Sequence, residues 1–313
     1  METVVIIAGP TASGKTGLSI ELAKEINGEI VSADSMQLYK YMDIGTAKPD
    51  EKEMSGVKHY LIDEIYPDED FSVARYQEMA LKYIKEILEK GKCPIVVGGT
   101  GLYINSLIYN INFTETISDW ELREKLKKEA SEYGNELLYE KLKKIDPEAA
   151  QKIHLNDLKR IIRAIEVYEY TKTPISKHQE VSRENPPIYN FAVFGLKMDR
   201  ERLYDRINKR VDSMFERGLI DEVKNLIKLG YEKNSVAMQA LGYKEVLSYL
   251  RGEITLDEAI YIIKRDTRHY AKRQITWFKR IENMQWIDLD EEGYTDEIIK
   301  NIKNYIATIG NFL

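Results

Sequence analysis

Apolar residues follow two alternating patterns along the first third of the chain. Continuous apolar runs at Val4–Ala8 and Pro94–Val97, and a further strand-like segment at Glu29–Ala33, are typical of strands buried on both faces of a parallel sheet. Between them, residues 17–26 and 72–90 carry apolar side chains at the three- and four-residue spacing of amphipathic helices. Strands that alternate with helices in this way predict a doubly wound α/β fold with a parallel sheet.

The pattern changes over residues 117–187, which are charged, helical in spacing and without a convincing strand. A strand pattern returns at Phe191–Leu196, and a capping-box sequence at Thr255–Glu258 predicts the start of a long C-terminal helix. We therefore predict a discontinuous α/β core, residues 1–116 and 188–313, interrupted by a helical insertion domain at residues 117–187.

Composition and charge exclude some classes of protein. The 313 residues are 43% hydrophobic and 31% charged, as in ordinary globular domains. With 46 basic and 52 acidic side chains the net charge is −6, so any contact with nucleic acid must come from local basic patches. The single cysteine, Cys93, forms no internal disulfide and fits a reducing cytoplasm. The apolar run near the N-terminus is too short for a membrane helix, so no membrane is expected.

The residues between the first strand and the first helix match the phosphate-binding pattern G-x-x-x-x-G-K-[ST]. Glycines in such a loop let successive backbone N–H groups turn towards an anion, and the helix N-terminus adds a partial positive charge. Lys15 supplies a point charge, and the Thr16 hydroxyl is a ligand for Mg²⁺. The predicted phosphate-binding residues are Gly9, Pro10, Thr11, Ala12, Ser13, Gly14, Lys15 and Thr16.

A P-loop phosphotransferase also needs an acidic residue at a strand end, to organise Mg²⁺ and water. The strand at 94–97 is followed by Gly-Gly-Thr without a carboxylate, whereas the strand at 29–33 is followed by Asp34. Because strand carboxyl ends meet at one edge of a doubly wound sheet, the P-loop, Asp34 and Thr100 are expected to converge there. On the residues alone, Asp34 fits a general base, a helix cap or a Mg²⁺ ligand.

Several motifs together resemble those of the tRNA dimethylallyltransferases (isopentenylpyrophosphate:tRNA transferases). They are GPTASGKT, VSADSMQLYKYMDIGTAKP and VVGGTGLY, followed by NDLKRIIRAIEVYE, LYDRINKRVDSMFERGLIDEV, QALGYKEVLSYLRGE and RHYAKRQITWFKR. The likeness runs in order from about residue 4 to residue 281, and DSMQxYxxMDIGTAKP is close to diagnostic. The resemblance implies a P-loop NTPase-like parallel-sheet core with a helical insertion. It also implies transfer of the dimethylallyl group of dimethylallyl diphosphate to the exocyclic N6 amine of the adenosine 3′-adjacent to the anticodon, position 37.

The resemblance also implies catalytic roles for particular residues. Diphosphate becomes the leaving group, held by the P-loop, by Lys15 and by Mg²⁺ on Thr16. Asp34 becomes the general base, and Thr100 meets the reacting nucleotide. Arg210 lies where the family has an arginine that reaches the diphosphate, although Arg206 is only one turn away.

Contacts with tRNA are implied in the same way. The residues at these matched positions are Asp34, Ser35, Met36, Gln37, Thr100, Arg123, Lys159, Arg160, Ile161, Ile162, Arg163, Ala240, Leu241, Gly242, Tyr243, Lys244 and Glu245. In addition, residues 264–280 carry seven Lys or Arg against one Asp, a localised basic stripe suited to an RNA backbone. The protein is expected to act as a monomer, with no metal other than the Mg²⁺ that accompanies the diphosphate.

Three other functions remain open on the residues alone. A small-molecule P-loop kinase would use Asp34 as base and ATP as donor, and an adenylate prenyltransferase would act on free AMP or ATP. A free nucleotide needs neither the basic insertion nor the basic stripe, which argues against both. The third, an NTP-driven RNA-binding switch, needs a base-reading element of the NKxD kind, and the sequence has none.

Overall fold

A computed structural model of the chain divides into two compact units. The core unit comprises residues 1–108 and 188–313, and the insertion unit comprises residues 109–187. The structure describes residues 1–111, 113, 119–182, 185–232, 236–290 and 295–309. The predicted start of the insertion, residue 117, lies outside these described residues.

A parallel sheet forms the centre of the core unit and confirms the predicted α/β fold. In the described part of the chain its strands are β1 (Thr3–Ala8), β2 (Gly28–Ser32), β3 (His59–Tyr60), β4 (Cys93–Gly98), β5 (Asn190–Lys197) and β6 (Gln285–Asp288). Their spatial order is β3-β2-β4-β1-β5-β6, with every pairing parallel. The two-residue β3 is too short to show a pattern in the sequence.

Helices connect and cover the strands. Before the insertion they are α1 (Lys15–Glu25), α2 (Glu51–Met54), α3 (Val73–Glu89) and α4 (Gly101–Ile108). The insertion unit contains α5 (Trp120–Tyr133), α6 (Asn135–Ile145), α7 (Pro147–Lys152), α8 (Leu158–Thr171) and α9 (Ile175–Ser182). The core unit then continues with α10 (Arg200–Glu216), α11 (Leu219–Lys228), a 3₁₀ turn at Ala237–Gln239, α12 (Tyr243–Leu250), α13 (Leu256–Phe278) and α14 (Thr295–Ile309).

The sheet is buried on both faces because successive side chains of β1 point to opposite sides. Val4 and Ile6 pack into one cluster with residues of α3 and α4, whereas Val5 and Ile7 pack into another with residues of α1 and α14. All six residues of β1 are buried. The strand therefore holds the start of the P-loop rigidly at the carboxyl edge of the sheet.

Candidate active site

A cleft of about 540 Å³ lies in the core unit at the carboxyl ends of β1, β2 and β4. It brings the P-loop together with the loops that follow β2 and β4 and with α10 and α13. Its lining includes Thr11, Lys15, Thr16, Asp34, Ser35, Met36, Gln37, Gly45, Thr46, Ala47, Gly98, Gly99, Arg210, Ala240, Leu241, Gly242, Tyr243, Lys244, His269, Tyr270, Arg273 and Gln274. Asp34 and the P-loop therefore share one cleft, as the sequence predicts for strand ends of a single sheet.

The P-loop turns tightly before α1. Gly14 has a φ of 94°, a conformation that strains any residue with a side chain. The amides of Lys15 and Thr16 lie in the first turn of α1, where helical N–H groups lack intrahelical acceptors, so they are available to an anion. The Thr11 amide is different, because it donates to Gln274 Oε1 at 2.9 Å. Of the two hydrogen-bond donors of Thr11, only the hydroxyl therefore remains available to a phosphate group.

The pKa of Lys15 lies close to neutral pH. Its Nζ donates to the Pro10 carbonyl at 2.7 Å. Burial and, to a smaller extent, the positive charge of Arg210 lower the pKa of Lys15 to about 7, against the opposing effect of the Asp34 carboxylate. An anion bound beside Lys15 would favour its charged form, so ligand binding and protonation are linked at this residue.

The loops after β2 and β4 hold each other in place. Asp34 Oδ1 accepts the Met36 N–H at 2.9 Å, which fixes the carboxylate in a local turn. Thr100 Oγ1 accepts the Ser35 N–H at 3.0 Å. The loops are so close that a Cβ on Gly98 would lie 2.1 Å from the Ala33 carbonyl oxygen. Thr100 does not line the cleft, but through its hydrogen bond from Ser35 it orients the loop that carries Asp34.

Two residues of α13, Tyr270 and Gln274, complete this part of the cleft. No role in the site was predicted for either of them from the sequence. Burial raises the pKa of Tyr270 to about 12, and hydrogen bonds with Thr100 and Gln274 oppose this effect. Gln274 is 6% exposed and contacts both neighbouring loops. Both lie in the RHYAKRQITWFKR motif and share one helix face at four-residue spacing, but the surrounding charged residues obscure this signal.

Arg210 and Arg206 occupy different positions beside the P-loop. Arg210 lines the main cleft, donates weakly to the Thr46 carbonyl at 3.5 Å, and has its pKa lowered by burial. Both arginines line a second cleft of about 300 Å³ together with Lys209 and Lys15. Arg206 is exposed and does not line the cleft that contains Asp34. The geometry therefore favours Arg210 as the arginine that shares a ligand with Lys15.

The loop 43–47 forms another wall of the cleft and is held by Glu222 of α11. The Glu222 carboxylate accepts the N–H groups of Asp43, Ile44 and Gly45 at 2.9, 2.7 and 3.1 Å. It also accepts the hydroxyl of the fully buried Tyr243 at 2.6 Å. In the sequence, Glu222 cannot be distinguished from a solvated acid on an amphipathic helix, so its role becomes visible only in the tertiary structure.

Replacing Glu222 by alanine is expected to release this loop. Hydrogen bonds to a charged acceptor contribute about 1.5–3 kcal/mol each, so local opening becomes easier by about 3 kcal/mol, or about 10²-fold. Hydrogen–deuterium exchange of the amides at residues 43–45 measures the effect directly. Asp221→Ala is the matched control, because Asp221 lies in the same helical turn but its side chain pairs with the exposed Lys224. Equal exchange in the two variants would contradict this role of Glu222.

Several residues predicted to contact tRNA have their side chains engaged within the core unit. Gln37 donates to the Ala47 carbonyl at 3.3 Å and accepts the Ser32 hydroxyl at 3.3 Å. Tyr243 is buried against the loop 43–47, and the buried Glu245 accepts the Gly242 amide at 2.8 Å. Any contact of Tyr243 or Glu245 with RNA must therefore use the main chain.

The predicted tRNA contacts of the insertion unit fall into two groups. Arg123 and Arg163 both bind Glu166, whose side chain is 0% exposed, and so they are anchored in the unit. Lys159 and Arg160 are exposed on α8. Ile161 and Ile162 are buried in the hydrophobic core of the unit, so their side chains are not available to RNA. Within this unit, the exposed cations are the side chains suited to a phosphate backbone.

The basic stripe of α13 is partly anchored to neighbouring residues. Lys264 binds Asp212 at 2.6 Å, and Arg268 donates to Asn208 at 2.6 Å. Lys272 and Arg273 are exposed, and Arg273 also lines the cleft. These two cations are therefore free to meet a phosphate without breaking the packing of α13 on α10.

Two negative findings apply to the described residues. They contain no cluster of three or more His, Cys, Asp or Glu side chains able to hold a metal ion. Their helices include none that is long and apolar enough to cross a membrane.

Comparison with known proteins adds independent information about the family of this chain. A family model described as IPP transferase matches residues 37–281. The tRNA dimethylallyltransferase of Acetivibrio thermocellus is 68% identical over 313 residues and covers 100% of both chains. That of Thermoanaerobacter sp. strain X514 is 57% identical over 312 residues, covering 99% of each chain.

Solved structures show the same fold. The tRNA isopentenylpyrophosphate transferase of Bacillus halodurans is 47% identical with a TM-score of 0.73, covering 98% of this chain and 96% of that one. A eukaryotic dimethylallyltransferase acting on tRNA is 30% identical with a TM-score of 0.83, covering 99% of this chain and 81% of that one.

Proposed function

The chain belongs to the IPP transferase family and is a prenyltransferase that modifies tRNA, and we propose that its donor is dimethylallyl diphosphate. The acceptor is the exocyclic N6 amine of the adenosine 3′-adjacent to the anticodon, position 37. The products are N6-isopentenyladenosine and diphosphate. The observation that best supports this reaction is that Asp34 shares one cleft with Lys15 and Arg210. A proton acceptor thus lies beside a cationic phosphate site.

The cationic side of the cleft binds the leaving group. Negative charge develops on the diphosphate as the bond between its oxygen and the allylic carbon breaks. The free amides at the start of α1 and the charges of Lys15 and Arg210 stabilise that charge. Because these groups are already in place, they need little reorganisation when the bond breaks.

On the other side of the cleft, Asp34 acts on the acceptor. The lone pair of the adenine amine forms the new bond to carbon, and the Asp34 carboxylate accepts the proton that the amine loses. Its hydrogen bond from Met36 orients the carboxylate, and Thr100 holds the loop through Ser35. A base in a folded anticodon loop must leave its stack before its amine can enter such a cleft.

The residues present fit a Mg²⁺ ion that arrives with the diphosphate. Thr16 is exposed at the start of α1 and lines the cleft, so its hydroxyl would be the protein ligand. Since the described residues contain no acidic cluster, most ligands would be diphosphate oxygens and water, as Mg²⁺ prefers. When bound, the ion neutralises part of the charge of the diphosphate.

Binding of tRNA would use the rim of the cleft and exposed cations of the insertion unit. At the cleft these residues are Asp34, Ser35, Met36, Gln37 and the loop from Ala240 to Glu245. In the insertion unit they are Lys159 and Arg160, with Arg123 and Arg163 held in position by Glu166. We further propose that the protein works in the cytoplasm, where its tRNA substrate is found, and that it acts as a monomer.

One assay separates this function from its alternatives. The protein is incubated with labelled dimethylallyl diphosphate and either tRNA or AMP, without ATP. Label in tRNA at adenosine 37 is the expected result. Label in AMP would support an adenylate prenyltransferase instead. Absence of transfer, together with phosphorylation of a small molecule by ATP, would support a kinase.

The lowered pKa of Lys15 predicts a pH dependence of diphosphate affinity. Bound diphosphate raises the pKa of Lys15 above its free value of about 7, so binding takes up a proton. Affinity is therefore full below pH 7 and falls as the pH rises, by at most about tenfold per unit. Calorimetry with inorganic diphosphate at several pH values, corrected for its own titration, measures this. In Lys15→Met the proton uptake should disappear. Uptake that persists in this variant would assign the proton to another group.

A further inference from the structure

Gln274 joins two loops that carry different parts of the proposed reaction. Its Oε1 accepts the Thr11 N–H at 2.9 Å, and its Nε2 donates to the Gly99 carbonyl at 2.9 Å. The P-loop, here the donor loop, contains Thr11 together with Lys15. The acceptor loop is the segment 98–100, which ends in Thr100 beside the Asp34 turn. One planar carboxamide therefore connects the main chains of both loops.

The polar groups around the Gln274 carboxamide belong to the same set of contacts between the two loops. Tyr270, one turn earlier on α13, lies close enough to Gln274 and Thr100 for their polar groups to lower its pKa, against the larger effect of burial. Both ends of the side chain are thus used within the protein, and this distinguishes Gln274 from a substrate-binding amide. Its contacts lead from the donor loop, through α13, to the loop that orients Asp34.

Close packing gives this connection little freedom. A Cβ on Gly99 would lie 2.2 Å from Gln274 Nε2, and one on Gly101 would lie 2.3 Å from the Trp277 ring. The acceptor loop and the first residue of α4 therefore rest directly on α13, and only glycine leaves room at these two points. A shift of the carboxamide would move the loop with it.

We propose that Gln274 is a positioning residue that holds the donor loop and the acceptor loop at the separation required for transfer, an inference that rests on the proposed function. It does not touch the reacting atoms. Transfer needs the allylic carbon and the attacking amine within close reach, and a misplacement of about 1 Å lowers such a rate by about 10²-fold.

The first test is the near-isosteric variant Gln274→Glu. Its carboxylate still accepts from Thr11, but its second oxygen faces the Gly99 carbonyl and cannot donate. The single-turnover rate should fall about 10²-fold, while the affinities for tRNA and for inorganic diphosphate change less than about threefold. Thr276→Ala is the matched control, since Thr276 is exposed on the same helix and does not line the cleft.

Rescue by protonation separates positioning from general loss of structure. A protonated carboxyl group has one donor and one acceptor, as the amide does. The rate of Gln274→Glu relative to wild type should therefore rise as the pH is lowered. A flat ratio, or a rate equal to that of wild type at every pH, would overturn the proposal.

A double-mutant cycle supplies a second measurement that does not depend on the glutamate variant. Gly99→Ala places a methyl group against the carboxamide and should lower the rate, whereas in the Gln274→Ala background the same methyl group has room and costs nothing further. Effects that simply add would overturn the proposal. Wild-type protein is assayed alongside. If it fails to transfer label to tRNA, the proposed function itself falls, whereas an active wild type with unaffected variants defeats only the role of Gln274.

Discussion

Asparagine in place of Asp34 is expected to lower the single-turnover rate of transfer by about 10²–10⁴-fold, the usual contribution of a general base. The adenine amine is a weak nucleophile, and the substitution removes the carboxylate proposed to accept its proton. Asparagine keeps the oxygen that accepts the Met36 N–H, so the turn after β2 should be preserved. The variant removes the charge while leaving the shape of the loop in place.

Binding and chemistry are measured separately for Asp34→Asn. Affinity for tRNA should stay within a few-fold of that of wild type, because an uncharged asparagine does not repel the RNA backbone. Glu78→Gln is a suitable control: it removes one negative charge from the exposed face of α3, and Glu78 does not line the cleft. Transfer by Asp34→Asn at the wild-type rate would remove Asp34 from the role of base.

Methionine in place of Lys15 is expected to lower the transfer rate by about 10²–10³-fold, the loss seen when one preorganised stabilising group is removed from a site of developing charge. Methionine has a similar length but carries no charge. The loss should appear in the chemical step as well as in donor affinity, because charge on the leaving diphosphate grows as its bond to carbon breaks.

Arg206 and Arg210 provide the comparison for Lys15. Arg210→Met should behave like Lys15→Met, since Arg210 lines the same cleft and is nearly as deeply placed. Arg206→Met should reduce the rate far less, because Arg206 is exposed and lines only the second cleft. An equal loss in both arginine variants would place the leaving group between them and not beside Asp34.

Much of the fold follows from local patterns in the sequence. The predicted strand at Pro94–Val97 corresponds to Cys93–Gly98, and the predicted helix at 72–90 corresponds to Val73–Glu89. These elements can be recognised because burial of one or both faces imposes a regular pattern of apolar residues on the sequence of each element. The two-residue β3 was not predicted, since pairing with β2 defines it and no run of apolar residues does.

The candidate site was predictable only where a motif lies on consecutive residues. The P-loop and the DSMQLYKYMDIGTAKP segment each form one wall of the cleft from a single stretch of chain, so their chemistry can be read from the order of residues. Within that segment, however, the structure shows that the buried Lys48 binds Asp43 and Asp63, which is a structural role. Resemblance alone does not separate such residues from those that face a substrate.

The sequence by itself determined the fold class and the family, and it predicted a phosphate-binding loop, because each depends on a periodic pattern or on a contiguous motif. The tertiary structure alone decided which distant side chains complete the site. Gln274 lies 263 positions from Thr11, and Glu222 lies 179 positions from Asp43. Such pairs meet only because α11 and α13 pack against loops at the carboxyl edge of the sheet. No local pattern encodes that packing, since it depends on the free energy of the whole folded core.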